Sequence, residues 1–182
     1  AAGTAAKLNI TAYNEAYSHK VTWKFGSYSN TQTIAAGTAS ASYTIPLTWL
    51  NAIPSATSGT ASVSLETLNA SGVSLGTHTY SFTITAPASV DLYLGDGHAF
   101  NSNTVINGWG LYVYGKTQAQ IKINGAAGAY GSTIKSYSIE TDQGIGSVAS
   151  STMTTSILYK TGTVNVTAKV VDTRGRTATK TT

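Results

Sequence analysis

An all-β protein made of two tandem immunoglobulin-like antiparallel sandwiches is what this sequence predicts, and three observations carry the prediction. Short stretches alternate apolar and polar residues with a period of two, the signature of strands with one dry and one wet face. Residues that fill amphipathic helices are scarce: charged side chains make up only 10% of the chain, while Thr, Ser and Gly are abundant. No segment keeps a helical apolar repeat over several turns, and neither half has room for the long crossovers of a parallel sheet.

The elements follow in order. In KLNITAY, Leu8, Ile10 and Ala12 share one face and Lys7, Asn9 and Thr11 the other. KVTWKF turns Val21, Trp23 and Phe25 inward, SASYTI groups Ala41, Tyr43 and Ile45, TASVSLET groups Ala61, Val63 and Leu65, and HTYSFTIT groups Tyr80, Phe82 and Ile84. Pro46 ends the third of these strands, Thr48 can cap one short helical turn near 48–53, and Pro54 stops it, because the residue before a proline disfavours helical geometry. Trp49, Leu50 and Ile53 would then plug the open end of the first core, so Trp49 is expected to be mostly buried.

Alternation breaks at Pro87, which sets a boundary near 86–90 and gives domains 1–87 and 88–182. The connector is short, so the modules are expected end to end with limited freedom. A second series of strands is read in DLYL, GLYVYGKT, AQIKIN, TIKSYSIET, SILYK and TVNVTAKVVD, the clearest face being Val164, Val166, Ala168 and Val170. VVDTRGRTAT reads as a hairpin turning through Asp172 and Gly175, its last strand truncated. With no initiating Met, the chain reads as a piece of a longer polypeptide.

Several function classes lose support. Cys is absent, which removes disulfides and thiolate metal sites. There is no apolar run of about 18 residues and no signal-peptide pattern, so membrane insertion is not expected. The net charge is +4, but Lys7, Lys20, Lys24, Lys116, Lys122 and Lys135 fall singly along separate strands, unlike a stripe that neutralises phosphates, and no nucleic-acid partner is expected. Gly72 to Gly76 matches G-x-S-x-G around Ser74, yet an alternating strand follows where a nucleophile elbow needs a helix; a glycine-flanked hairpin loop is the better reading. Asp91, Asp96 and His98 lie close together, with too few carboxylates for a calcium loop. An enzyme would have only Ser74 or the Asp91/Asp96 pair to work with. No catalytic residue, metal or cofactor is expected.

Aromatic residues are the remaining signal, with 11 Tyr and 3 Trp. If Leu111 and Val113 face inward, Tyr112 and Tyr114 face solvent, and such a pair can stack the C–H face of a sugar ring while nearby amides bind its hydroxyls. The upstream NSNTVINGWG adds Asn101, Asn103, Asn107 and Trp109. Trp109, Tyr112, Tyr114 and Asn107 are the candidate sugar platform. The plainer alternative is that tyrosine is a good strand residue and these stiffen a sheet through cross-strand pairs.

The blocks WLNAIPSATSGTASVSLETL, GVSLGTHTYSFTIT and LYVYGKTQAQIKINGAAGAYGSTIKSYSIE resemble a family of minor structural proteins of long-tailed phages that infect Gram-positive bacteria, of streptococcal type. The likeness covers nearly the whole chain. It implies a non-enzymatic virion component of the tail or its fibres, made of repeated β-sandwich modules and exposed to the extracellular face of the host during adsorption. The partners it implies are other virion tail proteins, further copies of the full-length protein, and host cell-wall polysaccharide. It supplies no catalytic residue. A carbohydrate-binding or adhesin module of a bacterial surface protein or glycan-degrading enzyme is the competing reading.

Overall fold

The computed structural model describes residues 1–89, 92 and 112–182, together with the backbone of Asp96–Asn101. Among the described residues strands hold about 50% and helix is almost absent. Every strand pairing among the described residues is antiparallel. The chain divides into two compact units, Ala1–Val90 and Asp91–Thr182.

The first unit contains β1 (Ala5–Asn9), β2 (Ser18–Phe25), β3 (Tyr28–Ile34), β4 (Ser40–Thr44), β5 (Ser58–Leu68) and β6 (Ser74–Thr85). A four-stranded sheet runs β3-β2-β5-β6, and β1 and β4 form a separate two-stranded sheet. Alternation decides which faces meet: Val21, Trp23 and Phe25 from β2, Ala61 and Val63 from β5 and Ala41 from β4 are all buried. Two observations show β4 lying over the inner face of the larger sheet. The Trp23 and Tyr43 rings stack at 6.3 Å. Trp23 Nε1 donates to Gln32 Oε1 at 3.1 Å, and Gln32 Nε2 in turn donates to the Ser42 carbonyl at 3.0 Å. The indole N–H is thus satisfied inside the core, where an unmet donor would cost about 1–3 kcal/mol.

Residues Leu47–Ala52 form a short 3-10 helix whose buried side chains are Trp49 and Leu50. Trp49 is 4% exposed, stacks on Tyr28 at 6.2 Å and tilts against Tyr43 at 5.6 Å, as a plug for this core requires. The expected cap is corrected. Pro46 holds the N-cap position with an extended backbone and no side-chain cap, and the turn is closed by the Trp49 N–H donating to the Pro46 carbonyl. Thr48 falls inside the turn because Pro46, with φ already fixed near the helical value, starts it earlier.

A second correction concerns Tyr80, which is 46% exposed although its phase points inward. Its strand, β6, is the edge of the four-stranded sheet, where a side chain has a neighbouring strand on one side only. Phe82 and Ile84, further along, do reach the core: Phe82 meets Trp23 edge-on at 5.9 Å and Ile84 is buried. At the far end of β6 the Ala2 N–H donates to the Thr85 carbonyl at 2.9 Å, and the Gly3 N–H donates to Ile45 at 2.7 Å.

The second unit contains β7 (Asp96–Asn101), β8 (Ala119–Asn124), β9 (Ile134–Thr141), β10 (Ser147–Val148), β11 (Thr152–Thr154), β12 (Val166–Asp172) and β13 (Thr177–Thr181). One sheet runs β10-β9-β12-β13 and the other β11-β8-β7. Ile121 and Ile123 from β8, Met153 from β11, Ile139 from β9 and Val166, Ala168 and Val170 from β12 make the core between them. Val164, expected on the same face, is half-buried and lies just before the strand. Two expected strands are absent: residues 112–118 and 156–160 form no ladder of their own.

The β12–β13 hairpin is pinned by a buried polar cluster. Asp172 takes hydrogen bonds from Ser132 Oγ at 2.8 Å, the Arg176 N–H at 2.8 Å and Arg176 Nε at 2.8 Å. Arg174 donates to the carbonyls of Ala129 and Tyr130, both at 2.6 Å. Gly175, at φ +81°, supplies the left-handed residue this turn needs. The cluster ties the hairpin tip to the 129–133 loop.

Candidate functional site

The second unit holds a pocket of about 450 Å³, within the range of small-ligand sites. Its buried lining, the floor, is mostly aliphatic, with Ile121, Ile145 and Val166 beside the hydroxyl-bearing Thr155, and its exposed lining, the mouth, carries Tyr112, Tyr114 and Lys160. Two strand-free segments frame it. They run alongside each other as a continuation of the β8–β11 pairing: the Gly115 N–H donates to Leu158 at 2.8 Å, the Leu158 N–H to Thr117 at 2.8 Å, and the Thr155 N–H to Ala119 at 2.9 Å. Thr117 adds a side-chain clasp, since the Val113 N–H donates to its Oγ1 at 3.0 Å. The mouth residues therefore sit on a bonded frame.

Gly115 decides how the aromatic rings meet. Its φ of +68° turns the chain tightly after Tyr114, and a Cβ there would stand 3.2 Å from Tyr159 Cε1. Without that Cβ, the Tyr159 ring lies over the turn and meets Tyr114 edge-on, with centroids 5.6 Å apart. Tyr114 and Tyr159 are each 60% exposed. Tyr112 sits lower in the mouth, and partial burial raises its phenol above the ordinary value. Lys160 makes no ion pair among the described residues.

The structure thus brings Tyr112 and Tyr114 to one exposed mouth, although not by the strand alternation that nominated them. Val113 is 40% exposed, because the segment is a turn-bearing stretch with no inner face to give it. Trp109 and Asn107 lie outside the described residues, as do Asn103, Leu111 and Asp91, while for Asn101, Asp96 and His98 only the backbone is described. Tyr159 and Lys160 were not singled out by sequence reading, which placed SILYK in a strand. The signal that could have found them is a second exposed Tyr beside a Lys in a Gly- and Thr-rich stretch. Ser74 opens β6 after the hairpin loop at Gly72, and a twelve-residue strand follows it where an elbow would need a helix. Among the described residues no group of three His, Asp or Glu gathers to hold a metal, and no helix is long and apolar enough to cross a membrane.

Comparison with known proteins gives one strong likeness. A family model described as "Siphovirus protein of unknown function (DUF859)" matches residues 1–182. Curated proteins give no match. Among solved structures, an Amycolatopsis orientalis exo-chitosanase in complex with PNP-beta-D-glucosamine is similar at 15% identity and a TM-score of 0.19. The alignment covers 98% of this chain but 24% of the chitosanase, and at that score it carries no argument.

Proposed function

We propose, from the premise that this chain belongs to the siphovirus protein family just described, that it is a non-enzymatic structural module of the phage tail or tail fibre that contributes to host-surface attachment. In this reading the two units are tandem immunoglobulin-like sandwiches, and the second carries the contact site. The observation that supports it is the exposed pair Tyr112 and Tyr114 at the mouth of a largely aliphatic pocket, with the exposed Tyr159 ring edge-on against Tyr114. Exposed aromatic rings beside hydrogen-bonding groups are what sugar faces stack on, and large apolar side chains grouped at a surface mark interaction sites.

Attachment by such a site works through number. One small site holds a sugar weakly, but many copies on one particle convert weak single contacts into firm adhesion when the spacing lets them engage together. Streptococcal-type hosts, the tail location and cell-wall polysaccharide as receptor belong to this proposal, as do virion tail proteins and further copies of the chain as partners. A glycan-binding module of a bacterial surface protein would use the same mouth; the family favours the phage.

The test is competition. An excess of the purified chain should slow adsorption of the phage to its host, and Tyr112→Ala with Tyr114→Ala should remove that effect without unfolding the protein. Undiminished adsorption, with antibodies against the chain decorating the tail, would replace attachment by a purely structural role.

A further inference from the structure

The mouth and the floor of this pocket ask for different things from a ligand. Tyr112 and Tyr114, the latter braced edge-on by Tyr159, offer ring faces and hydroxyl groups, which suit the C–H face of a pyranose. Ile121, Ile145 and Val166 below them offer only branched hydrocarbon. A hydroxyl set against that hydrocarbon would lose its water there and gain no partner from these three side chains, which disfavours a sugar decorated solely with hydroxyls. The floor therefore calls for an apolar substituent on the ring. Lys160 at the rim adds a cation, which disfavours a ligand bearing a free amine and can donate to a carbonyl oxygen. One substituent meets both demands: an acetamido group, whose methyl fills the aliphatic floor while its carbonyl accepts from the Lys160 ammonium or a tyrosine hydroxyl.

We propose that the pocket is a subsite for a 2-acetamido sugar, recognised by its N-acetyl methyl against Ile121, Ile145 and Val166, with Lys160 selecting against the deacetylated amine. The inference rests on the reading of Tyr112 and Tyr114 as a sugar platform and goes one step further, to the substituent the platform selects. The discrimination follows from the pocket. A missing methyl in a hydrophobic site changes affinity by about 10–200-fold, and the ammonium of the amino sugar beside Lys160 acts in the same direction.

Titration of the whole chain, followed by the NMR signals of its side-chain methyl groups and tyrosine rings, reads this directly. The probes are a tetramer of N-acetylglucosamine and the fully deacetylated tetramer of the same length. The acetylated tetramer is expected to shift Ile methyl signals and bind at least about 10-fold more tightly than the amine form. Tyr159→Ala, at an exposed position, should weaken it, and Lys160→Ala should narrow the gap between the two sugars while the acetylated one still binds. Equal affinity for both tetramers would overturn the acetamido inference and leave the platform standing. Binding of host wall polysaccharide through Tyr114 with neither tetramer bound would overturn it in the same way. Absence of any glycan binding, in a chain whose NMR spectrum is that of a folded protein, would remove the platform and the inference together.

Discussion

Asp172→Asn tests how much of the second unit's stability is held by a single buried carboxylate. Asp172 has no exposed side-chain surface, and both its oxygens are occupied by Arg176 and Ser132. Removing one partner of a buried pair costs about 3–5 kcal/mol. Arg176 keeps 17% of its side chain in solvent and can regain some hydration, which puts the expected loss at the low end, about 3 kcal/mol. For a unit of this size each kcal/mol moves the melting temperature by about 4–8 °C, so its transition should fall by about 12–24 °C at neutral pH.

The pH dependence separates charge from shape. Burial pushes the Asp172 carboxyl up, but hydrogen bonds from Arg176 and Ser132 and the charge of Arg176 outweigh it and hold the group below its ordinary value of 3.8. A carboxylate with a depressed pKa stabilises the fold above its unfolded value and loses that contribution as pH falls through the folded one. The gap in melting temperature between wild type and variant should therefore be full near neutrality, begin to close as pH drops below 3.8, and be smallest once the native carboxyl is protonated. Calorimetric melts of both proteins across that range, comparing only the difference between them, cancel the titration of the other acids. A gap that stays constant from neutral to acid pH would refute the reasoning, since the ionised form would then carry none of the effect.

Three further outcomes are expected. Trp49→Ala should destabilise the first unit by about 3–5 kcal/mol and leave the transition of the second in place, as read by calorimetry. Tyr80→Ala, on the uncovered part of β6, should stay within about 0.5 kcal/mol of wild type in the same assay. Gly115→Ala should cost about 1–2 kcal/mol from its left-handed backbone and push Tyr159 off Tyr114, seen as a change in the ring-current shifts of both tyrosines by NMR.

Sequence alternation found the strands whose neighbours on the facing sheet are continuous. Val21, Trp23 and Phe25 were legible because β2 is interior to its sheet and each inward residue meets cover. Tyr80 carried the same phase and is exposed, because phase says which way a side chain points and not whether anything stands opposite it. The same limit explains the site. Tyr112 and Tyr114 could be nominated locally as aromatics in a short stretch, but the ring that meets Tyr114 comes from Tyr159, far along the chain, and they are joined by hydrogen bonds between two segments with no regular period. The pocket floor is assembled from residues as distant as Ile121 and Val166, so its volume had no signature within any one window of sequence.

The bond from the Ala2 amide to the Thr85 carbonyl, 2.9 Å long, means that the chain enters the first unit and leaves it at nearly one place. Tension along the backbone would cross that short bridge and leave the four-stranded sheet unloaded. Because the two ends of the first unit are pinned together by a single backbone bond, insertions in its surface loops leave the distance between those ends unchanged.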